Sequence, residues 1–338
     1  MIKKYWLVGT ILLLSVVLVA CNGGEATDVG NSGEMTNSEL EAGIENENEG
    51  DQLESEVYPL TIQHAKGEEV IHEKPERVAI IFEWFNTDNL LSLDIEPIAM
   101  TNDPAWYGND LGIASYLVDE LEGIELLGSR ESADVEKLTL ANPDLILSVN
   151  VPFLDKQYDQ FKQIAPTLML DNYRGDWKDY HRQIAAIFGK EKEAEETIQR
   201  LEEKAQHARQ ELEGSIGEDS LAVVQLLPKT IRLYAQDGIN ELLYDDLGIT
   251  PVPEAVQAQG VEEISLESLA DINPDRILLY WTQAEELAEI EKSGVWQGLK
   301  AVQNGNVYFP ERTVEWNPHA PIGRDVLLDQ IVETFRAN

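Results

Sequence analysis

The sequence predicts an α/β fold of two Rossmann-like lobes joined by a single long, rigid interlobe helix. Three observations support this fold. Strands alternate with helices, which favours parallel sheets. One segment reads as a helix longer than average, and part of the first half recurs in the second. The predicted parts are a lipoprotein signal peptide (1–20), a disordered acidic tether (21–57), an N-terminal lobe (58–189), the interlobe helix (190–213) and a C-terminal lobe (214–338).

The first 20 residues have the features of a bacterial lipoprotein signal peptide. Lys3 and Lys4 precede an apolar run that is too short for a comfortable membrane span, and small residues come just before Cys21. This pattern resembles a lipobox, which implies lipidation of Cys21 and a location on the extracytoplasmic face of the cell membrane. Cys21 is the only cysteine, so intrachain disulfides and cysteine-based metal sites are excluded.

Acidic residues dominate both the tether and the body. Residues 22–57 carry eleven Asp or Glu, no Lys or Arg and no aromatic residue, so they cannot bury enough apolar surface to become ordered. The remaining body holds 23 Lys and Arg against 52 Asp and Glu, a formal charge of −29. Because phosphate binding needs a basic patch, this balance argues against a nucleic-acid partner.

The first half reads as alternating strands and helices that end in one long helix. Predicted strands cover 77–82, 96–100, 125–127, 144–149 and 167–170, and predicted helices cover 83–93, 134–141, 154–164 and 177–188. In the long helix 190–213, apolar residues recur at steps of three and four, which places them on one helical face. They are Ala194, Ile198, Leu201, Ala205, Ala208 and Leu212.

The second half repeats part of the first. Its predicted strands cover 221–227, 231–235, 275–281 and 306–309, and its predicted helices cover 238–247, 265–271, 285–290 and 321–336. Residues 135–147 align without a gap to 266–278, an offset of 131 that pairs Glu136 with Glu267 and the two Asn-Pro-Asp turns with each other. Such a turn before an apolar run leads into a buried strand. The repeat therefore predicts two similar lobes.

Residues that follow strand ends are the candidate ligand contacts, because α/β lobes bind ligands beyond the carboxyl ends of their strands. They are Trp84, Trp106, Tyr107, Arg130 and Arg174 in the first lobe, and Trp281, Arg312, Trp316, His319 and Arg324 in the second. A guanidinium suits carboxylate, hydroxamate or catecholate oxygens, and a tryptophan stacks on a flat ligand. The alternative for Arg130 is an ion pair with Glu131 or Asp134.

Two further alternatives stay open in the second lobe. Arg324 lies in the first turn of the last predicted helix, where a cation is unfavourable towards the helix dipole; it serves a ligand or pairs with Asp325 or Asp329. His319 has no second histidine at metal-binding spacing. We therefore predict no protein-held metal. No nucleophile elbow, P-loop or Gly-x-Gly-x-x-Gly motif is present, which favours capture of a ligand over enzymatic activity.

Several segments together resemble the iron-siderophore substrate-binding lipoproteins of ABC importers. They include Gly128-Ser129-Arg130, Asn142-Pro143-Asp144, Asp176-Trp177-Lys178 and the long helix, and the resemblance covers residues 58–336. It implies a monomeric, bilobal protein whose rigid helix keeps a shallow cleft. The implied ligand is an Fe(III)-siderophore, which holds the iron itself, and no cofactor is implied. The implied partner is the transmembrane permease.

The resemblance also implies roles for single residues. Arg130 at the Gly-x-Arg position implies a ligand contact, and Glu136 and Glu267 match the glutamates that dock into the permease. The loop 257–260 lacks the Trp that hydroxamate binders often have, and the extra basic residues favour a carboxylate or a mixed citrate–hydroxamate chelate. Haem or cobalamin capture by the same fold is the alternative. A direct metal-ion receptor is a further alternative, but it would need a His and carboxylate cluster.

Overall fold

The computed structural model describes residues 57–235, 238–257 and 260–336, all of which belong to one compact unit. The predictions for the signal peptide, Cys21, nearly all of the tether and the centre of the 257–260 loop lie outside the described residues. Among the helices described, none is long and apolar enough to cross a membrane.

The N-terminal lobe contains a parallel five-stranded sheet, in the order β5-β4-β3-β6-β7. Its strands are β3 (Val78–Ile81), β4 (Ala99–Asn102), β5 (Glu125–Ser129), β6 (Leu145–Val149) and β7 (Thr167–Leu170). The central strands β3 and β6 are buried along their whole length, as expected when helices cover both faces of a parallel sheet. All five predicted strands of this lobe are present, although β4 begins at Ala99 rather than at residue 96. An antiparallel hairpin before them, β1 (Leu60–His64) and β2 (Gly67–Ile71), was not predicted.

Five helices accompany this sheet: α1 (Glu83–Leu91), α2 (Pro104–Tyr107), α3 (Val135–Ala141), α4 (Asp155–Phe161) and α5 (Trp177–Ile187). Helix α4 begins later than predicted because a separate 3₁₀ turn, Pro152–Leu154, comes first. Helix α2 lies between the predicted strands 96–100 and 125–127, where no helix was predicted. Its N-cap Asp103 accepts a hydrogen bond from the backbone of Trp106, which explains the local helix.

The interlobe helix, α6, runs from Glu191 to Ile216 over 26 residues. Every residue of its predicted apolar face is buried, so the prediction is confirmed. That face enters three clusters in succession. Ala194 packs in the core of the N-terminal lobe, Ile198 and Leu201 pack with Trp177, and the residues from Ala205 onward pack in a core of the C-terminal lobe. One helix thus belongs to both cores, which is how it joins the lobes.

The C-terminal lobe is built on a mixed sheet. Its main path is β11-β9-β8-β12-β13, with β10 on β8. The strands are β8 (Ser220–Leu227), β9 (Thr230–Tyr234), β10 (Thr250–Pro251), β11 (Val261–Ile264), β12 (Arg276–Leu279) and β13 (Val307–Tyr308). Strand β9 is antiparallel to both of its neighbours, whereas β12 is parallel to β8 and β13. The lobe is therefore similar to the first but not identical in topology.

The helices of this lobe are α7 (Gly238–Asn240), α8 (Pro253–Gln257), α9 (Leu266–Ile272), α10 (Ala284–Ile290), α11 (Gly294–Gln297), α12 (Lys300–Gln303) and α13 (Pro321–Arg336). The predicted helix over 238–247 is confirmed as helical from Gly238 to Asp246, but only its first turn, α7, is α-helical, because a π-helical segment, Glu241–Asp246, follows directly. Helix α13 packs along α6, where Lys204 on α6 pairs with Asp325 and Asp329 on α13.

The internal repeat corresponds to equivalent structures. Asn142 ends α3 and Asn273 ends α9, both in the left-handed conformation with φ of 50° and 46°. Asp144 then accepts hydrogen bonds from the backbone N–H groups of Glu76 and Arg77 just before β3. Its counterpart Asp275 accepts from the backbone N–H of Ser220, at the start of β8. The equivalent aspartates of the two repeat units therefore each bind the chain at the start of the first strand of their lobe's sheet.

Helix α13 is also tied to the N-terminal lobe. The two carboxylate oxygens of Asp88, on α1, accept the backbone N–H groups of Ile322 and Gly323 at 2.7 Å each. These donors lie in the first turn of α13, where N–H groups lack intrahelical partners. Burial raises the pKa of Asp88 to about 7, and the two hydrogen bonds oppose that shift. The start of α13 is thereby held against the first lobe.

Candidate ligand-binding cleft

Aromatic side chains from both lobes meet at the carboxyl ends of the strands. Trp84 follows β3 and Trp281 follows β12, and their ring centroids are 5.8 Å apart. Trp106 meets Trp281 edge-on at 5.3 Å, and Tyr280 stacks on Trp281 at 5.1 Å. Trp316 lies 6.1 Å from Tyr280. The strand ends thus form one continuous aromatic wall that both lobes share.

A cavity of about 510 Å³ opens beside this wall. Its lining combines aromatic rings with a few polar groups from both lobes: Trp84, Phe85, Arg174, Arg232, Tyr234, Gly238, Ile239, Gly260, Val261, Glu263, Tyr280, Trp281, Trp316, Pro318 and His319. Small-molecule sites commonly have this size and this apolar lining. Of the sequence-predicted contacts, Trp84, Arg174, Trp281, Trp316 and His319 line it. We call this cavity the cleft.

Arg130 lies behind the aromatic wall rather than in the lining of the cleft. It is 9% exposed, and its Nη2 atom lies 2.8 Å from a carboxylate oxygen of Glu83 and 3.3 Å from one of Asp103. The rings of Phe82, Trp84, Trp106 and Tyr107 surround its guanidinium at 5.4 to 6.0 Å. The alternative prediction of an ion pair between Arg130 and Glu131 or Asp134 is wrong, because carboxylates far away in the sequence, Glu83 and Asp103, lie beside the guanidinium instead.

Glu83 is the partner of Arg130 that sequence reasoning missed. It begins α1 directly after Phe82, whose left-handed backbone (φ 69°) turns the chain from β3 into the helix. The hydroxyl of Thr101 donates to the Glu83 carboxylate at 3.1 Å. Burial raises the pKa of Glu83 to about 7, while the Arg130 charge lowers it. An acidic residue in the first turn of a helix was the available signal, because the helix dipole favours it there.

Arg174 and Arg232 supply the cationic groups of the cleft. Arg174 lies in the exposed turn after β7, and within the described ranges no carboxylate forms an ion pair with it. Arg232 projects from β9, with its Nε atom 3.6 Å from a carboxylate oxygen of Glu263. Arg232 and Glu263 were not among the predicted contacts. Their positions on two neighbouring antiparallel strands are visible only in the folded sheet.

The remaining predicted arginines pair with carboxylates outside the cleft. Arg312 pairs with Glu315, and it lines a second cavity of about 560 Å³ together with Trp106. Arg324 is 2% exposed, pairs with Asp246 and lies 4.9 Å above the ring of Trp177. The alternative prediction that Arg324 pairs with Asp325 or Asp329 on its own helix is wrong, because Arg324 pairs with Asp246 in the π-helical segment.

Of two other predicted contacts, Tyr107 is buried and His319 is partly buried in the structure. Tyr107, a predicted ligand contact, is only 4% exposed because it packs against Arg130, whereas Trp106 is 38% exposed. The ring of His319 lies 5.8 Å from that of Phe85. Burial and the charges of Arg174 and Arg324 lower the pKa of His319 to about 4, so its imidazole is neutral at neutral pH. No group of three or more metal-binding side chains occurs within the described part of the chain.

Glu136 and Glu267 occupy equivalent, exposed positions in the first turns of α3 and α9. Each helix begins near the carboxyl end of a strand, so both glutamates lie at the cleft end of their lobes. Asp134 and Ser265 cap the two helices with their side chains. The lobes therefore present the same charge on matching helices.

The chain matches known proteins over nearly its whole length. It is 28% identical to the putative ABC transporter substrate-binding lipoprotein YhfQ of Bacillus subtilis, with 99% of both chains covered. It is 27% identical to the probable siderophore-binding lipoprotein YfiY of the same organism, with 96% of this chain and 95% of that one covered.

A solved structure shows the same fold. The crystal structure of Staphylococcus aureus SirA complexed with staphyloferrin B aligns with a TM-score of 0.69 at 24% identity, covering 82% of this chain and 98% of that one. The family profile described as periplasmic binding protein matches residues 80–311. Those residues include most of both lobes and the whole of α6. The chain belongs to the periplasmic binding protein family.

Proposed function

We propose that this chain captures a ferric siderophore in the cleft and delivers it to the permease of an ABC importer. The observation that carries the proposal is the aromatic wall, which both lobes build beside a cavity of about 510 Å³ with Arg174 and Arg232 in its lining. The names of the relatives YhfQ and YfiY support it. Haem or cobalamin capture is not favoured, because YfiY is named for siderophore binding and SirA holds staphyloferrin B.

The cleft recognises the organic part of the ligand while the siderophore holds the iron. Trp84, Trp281 and Trp316 offer ring faces and edges for stacking, and Arg174 offers donors to the oxygens of the chelate. Five other predicted contacts act from outside the cavity by holding the wall in place or by contacting a ligand that extends beyond it. They are Trp106, Tyr107, Arg130, Arg312 and Arg324.

The cleft is expected to change little on binding. Helix α6 packs in the cores of both lobes, and Asp88 joins the first lobe to α13. A further link runs from the side-chain amide of Asn317 to the backbone carbonyl of Trp84, at 2.9 Å. A wide hinge motion would break these contacts together. The chain acts as a monomer that presents a largely preformed site.

Tryptophan fluorescence tests ligand capture. The purified mature chain is titrated with ferrioxamine B, ferric enterobactin and ferric citrate, with each iron-free chelator as a control. We expect saturable quenching by at least one ferric chelate at roughly micromolar concentration, since the cleft contains three tryptophans. Trp281→Phe should reduce the quenching. No response to any of the three chelates would contradict the proposed function.

Glu136 and Glu267 are proposed to dock the loaded protein onto the permease. Their matching places on two similar lobes suit a partner with two similar subunits, and arginines there would complement both charges. Lipidation of Cys21 is proposed to keep the protein on the extracytoplasmic face of the membrane. Two relatives named as lipoproteins support that location.

Iron uptake by cells tests the docking residues. The double variant Glu136→Arg/Glu267→Arg should abolish uptake of the quenching chelate, because like charges then face each other at both contacts. Fluorescence quenching should persist, since neither residue lines the cleft. The double variant Glu285→Arg/Glu289→Arg, which makes the same change in net charge at two exposed positions of α10, is the matched control. Normal uptake by the double variant would remove the docking assignment.

A further inference from the structure

We propose that the siderophore is a hydroxamate-type ferric chelate of low net charge, rather than a tris-catecholate. This inference rests on the proposed function. It follows from the way the protein neutralises its own arginines. It revises the expectation from the sequence, in which the extra basic residues favoured an anionic carboxylate or mixed chelate.

Three arginines near the cleft are already paired with carboxylates. Arg130 has Glu83 and Asp103 within ion-pair distance, and Glu83 is almost fully buried. Arg312 pairs with Glu315, which is itself buried. Arg324 pairs with Asp246 and lies over the ring of Trp177. A ligand anion would have to displace or coexist with a carboxylate at each of these positions, so these guanidinium groups offer little net positive charge.

The lining of the cleft itself carries a small net charge. Its charged side chains are Arg174, Arg232 and Glu263. Glu263 lies near Arg232, which leaves Arg174 as the cation without a carboxylate partner among the residues that the structure describes. His319, the other titratable base in the lining, is neutral at neutral pH because its pKa is about 4. Among the described residues, the lining therefore presents one cation without a carboxylate partner to the ligand.

The chelating groups of siderophores differ in charge. Each hydroxamate binds iron as a monoanion, so a ferric tris-hydroxamate core is neutral. Each catecholate binds as a dianion, so a ferric tris-catecholate stays strongly anionic. Moving a concentrated negative charge out of water is costly unless nearby cations compensate it. A single arginine in a body of formal charge −29 compensates it poorly.

The aromatic lining suits a neutral chelate as well. Six of the lining side chains are Trp, Tyr or Phe, and hydroxamate siderophores present methylene chains around the iron centre. Burial of that apolar surface supplies binding free energy that does not depend on charge. The cleft thus matches a ligand recognised chiefly by its apolar surface and fixed by one charge-assisted contact.

The affinities for the three chelates test this inference. We expect ferrioxamine B to bind at least about tenfold more tightly than ferric enterobactin or ferric citrate. Equal or tighter binding of the catecholate or the citrate would overturn the inference while leaving the proposed function intact. Absence of binding by all three would remove the proposed function itself, so the two failures are distinguishable.

The variant Glu263→Gln tests the mechanism, because it removes the carboxylate beside Arg232. It should strengthen the binding of ferric enterobactin about tenfold more than it changes the binding of ferrioxamine B. Glu289→Gln makes the same change in net charge next to Lys292 on α10, outside the cleft, and should alter neither affinity. Equal responses of the two variants would contradict charge neutralisation within the cleft as the cause.

Discussion

The two lobes are built alike at one end and differ at the other. Helices α3 and α9 both end at a left-handed Asn, and both are followed by an Asp that binds the first strand of the sheet. At the cleft end, the N-terminal lobe buries an arginine between carboxylates and aromatic rings, whereas the C-terminal lobe leaves Arg232 half in solvent. Two lobes with the same repeated scaffold therefore place an arginine in different environments, one buried and one partly exposed.

The largest expected difference between the two lobes is in the unfolding free energy that is lost when Arg130 or Arg232 is replaced. Arg130→Gln leaves the buried Glu83 without its nearest cation, so we expect a loss of about 3 kcal/mol of unfolding free energy at pH 8. Arg232→Gln breaks an exposed pair and should cost less than about 1 kcal/mol. Urea denaturation of both variants measures the difference.

The cost at Arg130 should also depend on pH. Without Arg130, the pKa of Glu83 lies further above its unfolded value, because a cause that lowers it is gone. A group with a raised pKa stabilises the fold below its unfolded pKa and loses that contribution as pH rises. The cost of Arg130→Gln should therefore be smaller at pH 5 than at pH 8. A cost that is equal at both pH values, or equal to that of Arg232→Gln, would contradict the comparison.

A smaller effect tests the similarity of the scaffold. Asp144→Ala and Asp275→Ala each remove a carboxylate that accepts hydrogen bonds at the start of a sheet. Each should cost about 1 to 2 kcal/mol at pH 7. Costs that differ by more than about 2 kcal/mol would show that the two repeat units are not energetically equivalent.

The Asp275 contribution should then fade in acid. Lys300 and Ser220 lower the pKa of Asp275 to about 2. A lowered pKa gives stability that is present above the unfolded value and is lost as the pH falls towards 2. The penalty of Asp275→Ala should shrink over that range, and calorimetry between pH 2 and 5 measures it. A constant penalty would mean that the carboxylate acts without its charge.

Local patterns in the sequence predict much of this fold, for physical reasons. The spacing of Ala194 to Leu212 specifies one buried helical face, and the Asn-Pro-Asp turns specify where strands begin. Pairings between distant residues leave no such local pattern. Glu83 and Arg130 meet only because β3 and β5 flank β4 in one sheet, and Arg324 meets Asp246 across two helical segments. The tryptophans of the cleft, Trp84, Trp281 and Trp316, were predicted from their positions after strands, whereas the other aromatic residues of its lining and the ion pairs of its arginines were not.

The bond between Asp88 and α13 has a consequence for how the chain matures. The two N–H groups that donate to Asp88 belong to Ile322 and Gly323, which follow Asp88 in the chain by 234 and 235 positions. During synthesis, which begins at the N-terminus, the Asp88 carboxylate has neither donor until the last helix has been made. The completed fold buries this carboxylate fully. The first lobe therefore reaches its final state only after the last helix has emerged. Maturation of the two halves is coupled, and cleavage before Pro321 would remove both donors at once.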